Sequence, residues 1–252
     1  MKDLNSYWNA SLSEKRILVT GGSTGIGREV ALLLSTLGAN LLICGRNQEQ
    51  VDETIAEIEK LSTGNSCKGI VTDLSDEQGV TELFSALDAE LGGLDILVNN
   101  AAIAYGSVTE GSYTDWEYVL RTNLLGYMAC AKHAAERMQA AGSGHILNIG
   151  SMSAQVREEG SSVYVATKSG IQGFSEALRK ELNPKGIKVS LIEPGAVDTD
   201  MQEAPAEEKL AQVDHEEMLK AEDIAIAVAF CLVQPSRSEI VSLQIRPHLQ
   251  PI

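Results

Sequence analysis

Short apolar runs alternate along this chain with longer stretches whose apolar residues recur every three or four positions. The first run, residues 16–19, leads into a glycine-rich turn. Residues 25–37 follow as a predicted helix, with Ile26, Val30, Leu33, Leu34 and Leu37 at helical spacing and Gly38 ending it. Residues 39–44 are apolar apart from Asn40 and too few for a helix, which predicts a strand covered on both faces. The alternation continues with helices predicted over 48–61, 76–91, within 114–141, 162–182 and 221–233. Strands are predicted over 67–71, 95–98, 145–149, 187–192 and 240–245.

Strands that alternate with helices through short connections build a parallel sheet with helices on both faces. The expected fold class is α/β, one doubly wound domain over 1–252 with a sheet of about seven strands. No repeat or low-complexity linker interrupts it. Residues 1–15 form a polar N-terminal extension. Residues 200–220 are polar and follow a Pro194-Gly195 hinge, which suits a lid over a substrate. Its acids (Glu203, Glu207, Glu208, Asp214, Glu216 and Glu217) also fit the wet face of a helix.

Composition narrows the classes. At 252 residues the chain can bury a full core, and 4% aromatic residues make that core aliphatic. A net charge of −15 argues against a surface that tracks nucleic acid phosphates. No apolar stretch approaches the ~18 to 20 residues that span a bilayer, and the N-terminus lacks the apolar block of an export signal. Cys44, Cys67, Cys130 and Cys231 are scattered, without metal-like spacing, as expected of buried thiols in a reducing compartment. The expected location is cytoplasmic, with no metal, no membrane and no nucleic acid partner.

The turn Thr20-Gly21-Gly22-Ser23-Thr24-Gly25-Ile26-Gly27 joins a predicted strand to a predicted helix. Glycines there allow a tight turn and close approach of a pyrophosphate, while the helix N-terminus offers free N–H groups and a positive dipole end. The end of the second strand bears on cofactor choice. An acid there would hold ribose hydroxyls, whereas Cys44-Gly45-Arg46 offers a guanidinium suited to a 2′-phosphate. Arg46 therefore favours NADP(H), with NAD(H) the alternative. Asp73, after the third strand, could accept a hydrogen bond from an adenine amine or help cap the next helix with Ser75.

Tyr164 and Lys168 stand four residues apart on one predicted helix, with Ser151 thirteen residues earlier. Bringing a phenol from a pKa near 10 to about 7 takes ~4 kcal/mol of differential stabilisation. A lysine one helical turn along can supply part of it as nearby positive charge. Ser151 can hydrogen-bond the oxygen of a carbonyl substrate. These residues can therefore pass a proton to a carbonyl beside a nicotinamide.

With these motifs the chain resembles the short-chain dehydrogenase/reductase family, in its compact branch of about 250 residues whose subunit is one Rossmann domain. The resemblance runs from Arg16 to about Met201 and more loosely to the end. It rests on the glycine turn, on Asn99-Asn100-Ala101-Ala102, on Thr122-Asn123-Leu124-Leu125-Gly126, on Ser151, Tyr164 and Lys168, and on Pro194-Gly195-Ala196-Val197-Asp198-Thr199. It implies Ser151, Tyr164, Lys168 and Asn123 as catalytic residues, Asn123 anchoring a water that relays protons through the lysine. Implied cofactor contacts are Gly21, Ser23, Thr24, Gly25, Ile26 and Gly27 in the turn, Arg46, Asp73 and Leu74, and Asn100 and Ala101. Tyr164, Lys168, Pro194, Gly195, Val197 and Thr199 complete them. Two departures stand out: Ala102 replaces a family glycine, and Ser242-Leu243-Gln244-Ile245-Arg246-Pro247 replaces the common glycine-rich ending, which bears on the usual tail-to-tail subunit contact.

The expected activity is hydride transfer between NADP(H) and a carbonyl/secondary alcohol pair. The alternative is a catalytically silent, cofactor-sensing protein of the same fold. Arg157 between Ser151 and Tyr164 is either a partner for a substrate carboxylate or a solvated charge paired with Glu158 and Glu159. On the helix of Tyr164, the face bearing Ala166, Gly170, Gly173 and Ala177 is a stripe of small residues opposite the sheet-facing side. With the family's habit of pairing this helix and the preceding one across subunits, it implies a homotetramer, with a homodimer as the fallback.

Overall fold

The computed structural model describes residues 12–61, 64–202 and 204–250. Residues 1–11 of the expected N-terminal extension and Glu203 of the acidic segment therefore lie outside the described residues. Seven parallel strands form one sheet: β1 Arg16–Thr20, β2 Asn40–Gly45, β3 Cys67–Val71, β4 Ile96–Asn99, β5 Gly144–Ile149, β6 Ile187–Pro194 and β7 Ser242–Ile245. Their order is β3-β2-β1-β4-β5-β6-β7, so the winding reverses between β1 and β4. The helices are α1 Gly25–Thr36, α2 Gln48–Leu61, α3 Glu77–Leu91, α4 Tyr113–Leu120, α5 Gly126–Ala141, α6 Ser153–Val156, α7 Ser162–Leu182, α8 Ala206–Asp214 and α9 Ala221–Leu232.

Alternation along β1 explains the two layers. Ile17 and Val19 point to one face and pack with Val30 and Leu34 of α1, Val51 and Ile58 of α2, and Ile224 and Val228 of α9. Leu18 points to the other and packs with Leu83, Phe84 and Leu87 of α3 and Cys130, Ala134 and Met138 of α5. Burial on both faces is why the interior strands read as near-continuous apolar runs, whereas the edge strands β3 and β7 are partly exposed. Each buried Leu or Phe side chain contributes about 1.5–3 kcal/mol. The Asp76 carboxylate accepts from Gly79 N at 2.7 Å and caps α3, and Ser112 with Asp115 forms a capping box on α4.

The helices expected within 114–141 are α4 and α5, joined by a π-helical turn, Arg121–Leu125, that the periodicity did not predict. Within that turn the Asn123 side chain pairs with the Ile103 backbone. The segment 200–220 contains α8, in keeping with the wet-face reading of its acids, and Leu219 forms an isolated parallel bridge with Val197. None of the helices among the described residues is long and apolar enough to cross a membrane.

Candidate active site

The strands' carboxyl ends form a continuous cleft. At the reversal point β1 ends in the glycine turn, where Gly21 (φ +62°) and Gly25 (φ +51°) adopt left-handed backbone. A Cβ on Gly27 would come within 2.0 Å of Gly21 O, so only glycine lets α1 start this close to β1. Thr20 Oγ1 accepts from Asn100 N at 2.9 Å and Ala101 N at 3.1 Å, and Asn100 Nδ2 donates to Thr20 O and Gly21 O. The turn is thereby tied to the end of β4. No side chain caps α1, so its first N–H groups are left to the cleft.

A cavity of about 410 Å³ extends over this turn toward the ends of β2 and β3. Of the expected cofactor contacts, Gly21, Ser23, Thr24, Gly25, Ile26, Arg46, Asp73, Leu74, Asn100, Ala101 and Thr199 line it. Arg46 is the one cation among the described lining residues. Gly27 lines neither cavity and acts by closing the turn. Asp73 does not cap α3, a role taken by Asp76; its Oδ1 accepts from Ser75 N at 2.8 Å and its Oδ2 from Tyr118 Oη at 2.8 Å. Burial works to raise the Asp73 pKa, but these hydrogen bonds win and hold it below the usual carboxylate value.

A second cavity, of about 490 Å³, adjoins the first through Ile26, Asn100, Ala102, Thr199 and Met201. Ser151, Tyr164, Lys168, Pro194, Gly195 and Val197 line it. Tyr164 and Lys168 share one face of α7, with Lys168 Nζ 5.6 Å from the Tyr164 ring centroid and 5.7 Å from that of Tyr127. Lys168 Nζ donates to Ile149 O at 3.1 Å, and burial brings this lysine down to about 8. Burial pushes the Tyr164 phenol up to about 12, Ser151 pulling it down and Glu158 adding to the rise. The phenol therefore holds its proton at neutral pH. Ser151 Oγ donates to Ser153 Oγ at 3.1 Å, and Ser153 Oγ to Glu158 Oε1 at 2.5 Å.

Asn123 does not line either cavity. It is fully buried, and its amide pairs with Ile103 in both directions: Oδ1 accepts from Ile103 N, and Nδ2 donates to Ile103 O, each at 2.8 Å. Arg157 is also absent from the lining; its Nε reaches back to Ala154 O at 3.3 Å, while Glu158 faces the cavity. Of the expected lid, Met201 and Gln202 line the cavity. Lys209 latches α8 to the strand-end segment, pairing with Asp198 Oδ1 at 2.9 Å and donating to Thr199 O at 3.0 Å.

The chain matches the short chain dehydrogenase family over residues 15–210. It belongs to that family. An uncharacterized oxidoreductase of Staphylococcus aureus strain USA300 is 33% identical to this short-chain dehydrogenase over 239 residues, covering 94% of this chain and 98% of the relative. A short chain dehydrogenase from Burkholderia cenocepacia J2315, solved in complex with NADP, superimposes with a TM-score of 0.83 at 33% identity, covering 94% of this chain and 98% of the other. A dehydrogenase/reductase from Sinorhizobium meliloti 1021 gives a TM-score of 0.86 at 31% identity, covering 97% and 98%. Members of the family bind a nicotinamide cofactor, and the cleft here fits one. A Cβ on Gly21 or Gly27 would collide with backbone, so the turn stays tight, and the start of α1 is uncapped.

Sequence reasoning missed several residues. Tyr127 donates to the same Ile149 carbonyl as Lys168, at 3.1 Å, and lies beneath the lysine. Its place one helical turn after Asn123 was the available signal. Gln250 lines the substrate-side cavity and its Oε1 accepts from Ala196 N at 3.2 Å. Nothing in the sequence pattern points to that tail contact. Tyr118, which joins Arg46 to Asp73, was invisible for the same reason: its partners are 72 and 45 residues away.

Proposed function

We propose that this short-chain dehydrogenase transfers hydride between NADP(H) and a carbonyl/secondary alcohol pair, with Tyr164 as the general acid and base. The observation that carries this reading is the adjacency of the two cavities, one bearing Arg46 and the other Tyr164, Lys168 and Ser151. A bound nicotinamide supplies or accepts the hydride. In the reductive direction Tyr164 gives its proton to the carbonyl oxygen and Ser151 holds that oxygen by a hydrogen bond. Lys168, charged below about pH 8, restores the phenol's proton supply and favours phenolate when the reaction runs backward. Asn123 contributes through the Ile103 backbone beside the cofactor cleft, and a water at the π-turn would complete the relay to solvent.

The substrate wall supports a neutral substrate: its charged side chains among the described residues are Lys168 and Glu158, so a carboxylate would meet Glu158 and no cation beyond the lysine beside Tyr164. The 200–220 segment acts as the lid, latched by Lys209.

A homotetramer is the assembly we propose. Ala166, Gly173 and Ala177 are exposed on α7, and no atom lies within 4 Å of a Cβ built on Gly173. Gly170 instead packs on Leu124. Beside this stripe Leu120, Leu125 and Met128 are exposed, and on α9 Ile226 and Phe230 are exposed one turn apart. Two separate apolar faces support two kinds of subunit contact.

The test is Tyr164→Phe. It should remove more than about nine-tenths of kcat while cofactor affinity stays within about twofold, because the phenol acts in the transition state. Turnover above a tenth of wild type would refute Tyr164 as the acid. An unmodified chain that binds NADPH yet reduces no ketone in a broad panel would favour the silent, cofactor-sensing alternative.

A further inference from the structure

Three side chains from three elements meet at the adenylate end of the cleft. Arg46 follows β2, Asp73 follows β3, and Tyr118 comes from α4. Arg46 Nη1 lies 2.6 Å from Tyr118 Oη, and Tyr118 Oη lies 2.8 Å from Asp73 Oδ2. The proton positions follow from chemistry. A guanidinium only donates and an ionised carboxylate only accepts, so the phenol accepts from Arg46 and gives its single proton to Asp73. Both charged residues line the cofactor cavity, and Tyr118 stands behind them.

The phenol solves a problem that this pair creates. An arginine and an aspartate at neighbouring strand ends tend to form a direct, bidentate ion pair. Such a pair would occupy the guanidinium fork and cancel the charge that a phosphate needs. Here no ion pair joins Arg46 to Asp73; the hydroxyl is interposed, and each partner bonds to it instead. One of five guanidinium N–H donors is engaged with Tyr118, and no other hydrogen bond of Arg46 is found among the described residues. Arg46 is exposed, and a free arginine would lose rotamer entropy on capturing an anion. Tethered by one donor, it is already ordered and keeps the rest of its fork available.

We propose that Tyr118 is a positioning residue for cofactor choice, holding Arg46 apart from Asp73 and aimed at the 2′-phosphate of NADP(H). The proposal rests on the reading that this cavity takes NADP(H), and it adds the residue that makes Arg46 selective. Burial, then Asp73, raises the Tyr118 pKa, so the phenol stays protonated and the bridge persists through neutral pH.

Calorimetric titration with 2′,5′-ADP and 5′-AMP, which differ only by the 2′-phosphate, tests it without turnover. The two probes share the adenine and the 5′-phosphate, so any effect that Tyr118 exerts on adenine through Asp73 cancels in the ratio of their affinities. The wild type should bind 2′,5′-ADP at least about tenfold more tightly, as a charge-assisted contact to phosphate would give. Tyr118→Phe should cut that ratio by about three- to tenfold, the size of one lost hydrogen bond, with 5′-AMP affinity nearly unchanged as the check on folding. Arg46→Ala should bring the ratio near one, and adding Tyr118→Phe to it should change nothing more. A wild-type ratio near one would overturn the NADP(H) reading itself. A wild-type preference that Tyr118→Phe leaves intact or increases would overturn the role of Tyr118 alone, and so would a Tyr118→Phe effect that persists without Arg46.

Discussion

Around the glycine turn the cleft is made of backbone that cannot yield: the atom nearest a Cβ on Gly27 is Gly21 O, at 2.0 Å, and the turn is stitched to β4 through Thr20 and Asn100. The wall across from it is built of side chains and chain ends. There a Cβ on Gly195 would first meet Gln250 Oε1, at 2.3 Å, the tip of a side chain on the C-terminal tail. The proposed lid is fastened by Lys209, and Ser151 passes its hydrogen bond on through Ser153 to the loop carboxylate Glu158. One half recognises an invariant partner, the pyrophosphate of a dinucleotide, and gains from being fixed before binding. The other must admit and release substrate, so it is assembled from parts that move at low cost.

The largest break in that contrast should come from Gly27→Ala. An unrelieved backbone clash costs about 3 kcal/mol, and the shifted turn should weaken 2′,5′-ADP binding at least about tenfold. Titration and thermal unfolding of the variant check both effects. Gly195→Ala should do much less, since Gln250 can swing away.

A pH profile probes the junction of the two halves. Lys168 has its pKa lowered to about 8 by burial, so it is charged below that pH and neutral above it. Tyr164, at about 12, keeps its proton throughout. For carbonyl reduction, log(kcat/KM) should be flat near neutrality and fall above about pH 8 with a slope near minus one. A profile flat to pH 10 would show that the lysine's charge is not needed.

Across the cleft, Lys209→Ala should loosen the proposed lid. A half-buried pair of this kind is worth about 1 kcal/mol, so KM for the carbonyl substrate should rise roughly fivefold. Binding of 2′,5′-ADP should not change, and a matching loss there would place Lys209 in the rigid half. Smallest of all is Arg157→Ala, since that side chain turns back to Ala154 O and away from the cavity. Its kcat/KM should equal wild type on acidic and neutral ketones alike.

Legibility in the sequence followed the same divide. The bounds of α2 and α7 match their predicted spans, 48–61 and 162–182, because amphipathic periodicity is a local property of consecutive residues. The glycine turn was equally plain, since residue type and order alone dictate such a loop. The π-helical form of the turn between α4 and α5 was hidden, and so was the pairing of Asn123 with Ile103, which spans twenty residues. The short helix α6 was hidden as well: four residues between Ser151 and Tyr164 carry no period of their own.

The sequence by itself determined the alternation of strands and helices, the parallel sheet and its glycine turn. It also held the order of serine, tyrosine and lysine, because each of these is written in near neighbours or in the repeat of apolar positions. Only the tertiary structure decided which polar atoms meet. It put Tyr118 between Arg46 and Asp73, Tyr127 under Lys168, Glu158 rather than Arg157 on the cavity of Tyr164, and Gln250 against the Pro194-Gly195 turn. The physical reason is range. Periodicity and turn chemistry act over a few residues, whereas a hydrogen bond forms only where the packed fold brings distant side chains to within about 3 Å.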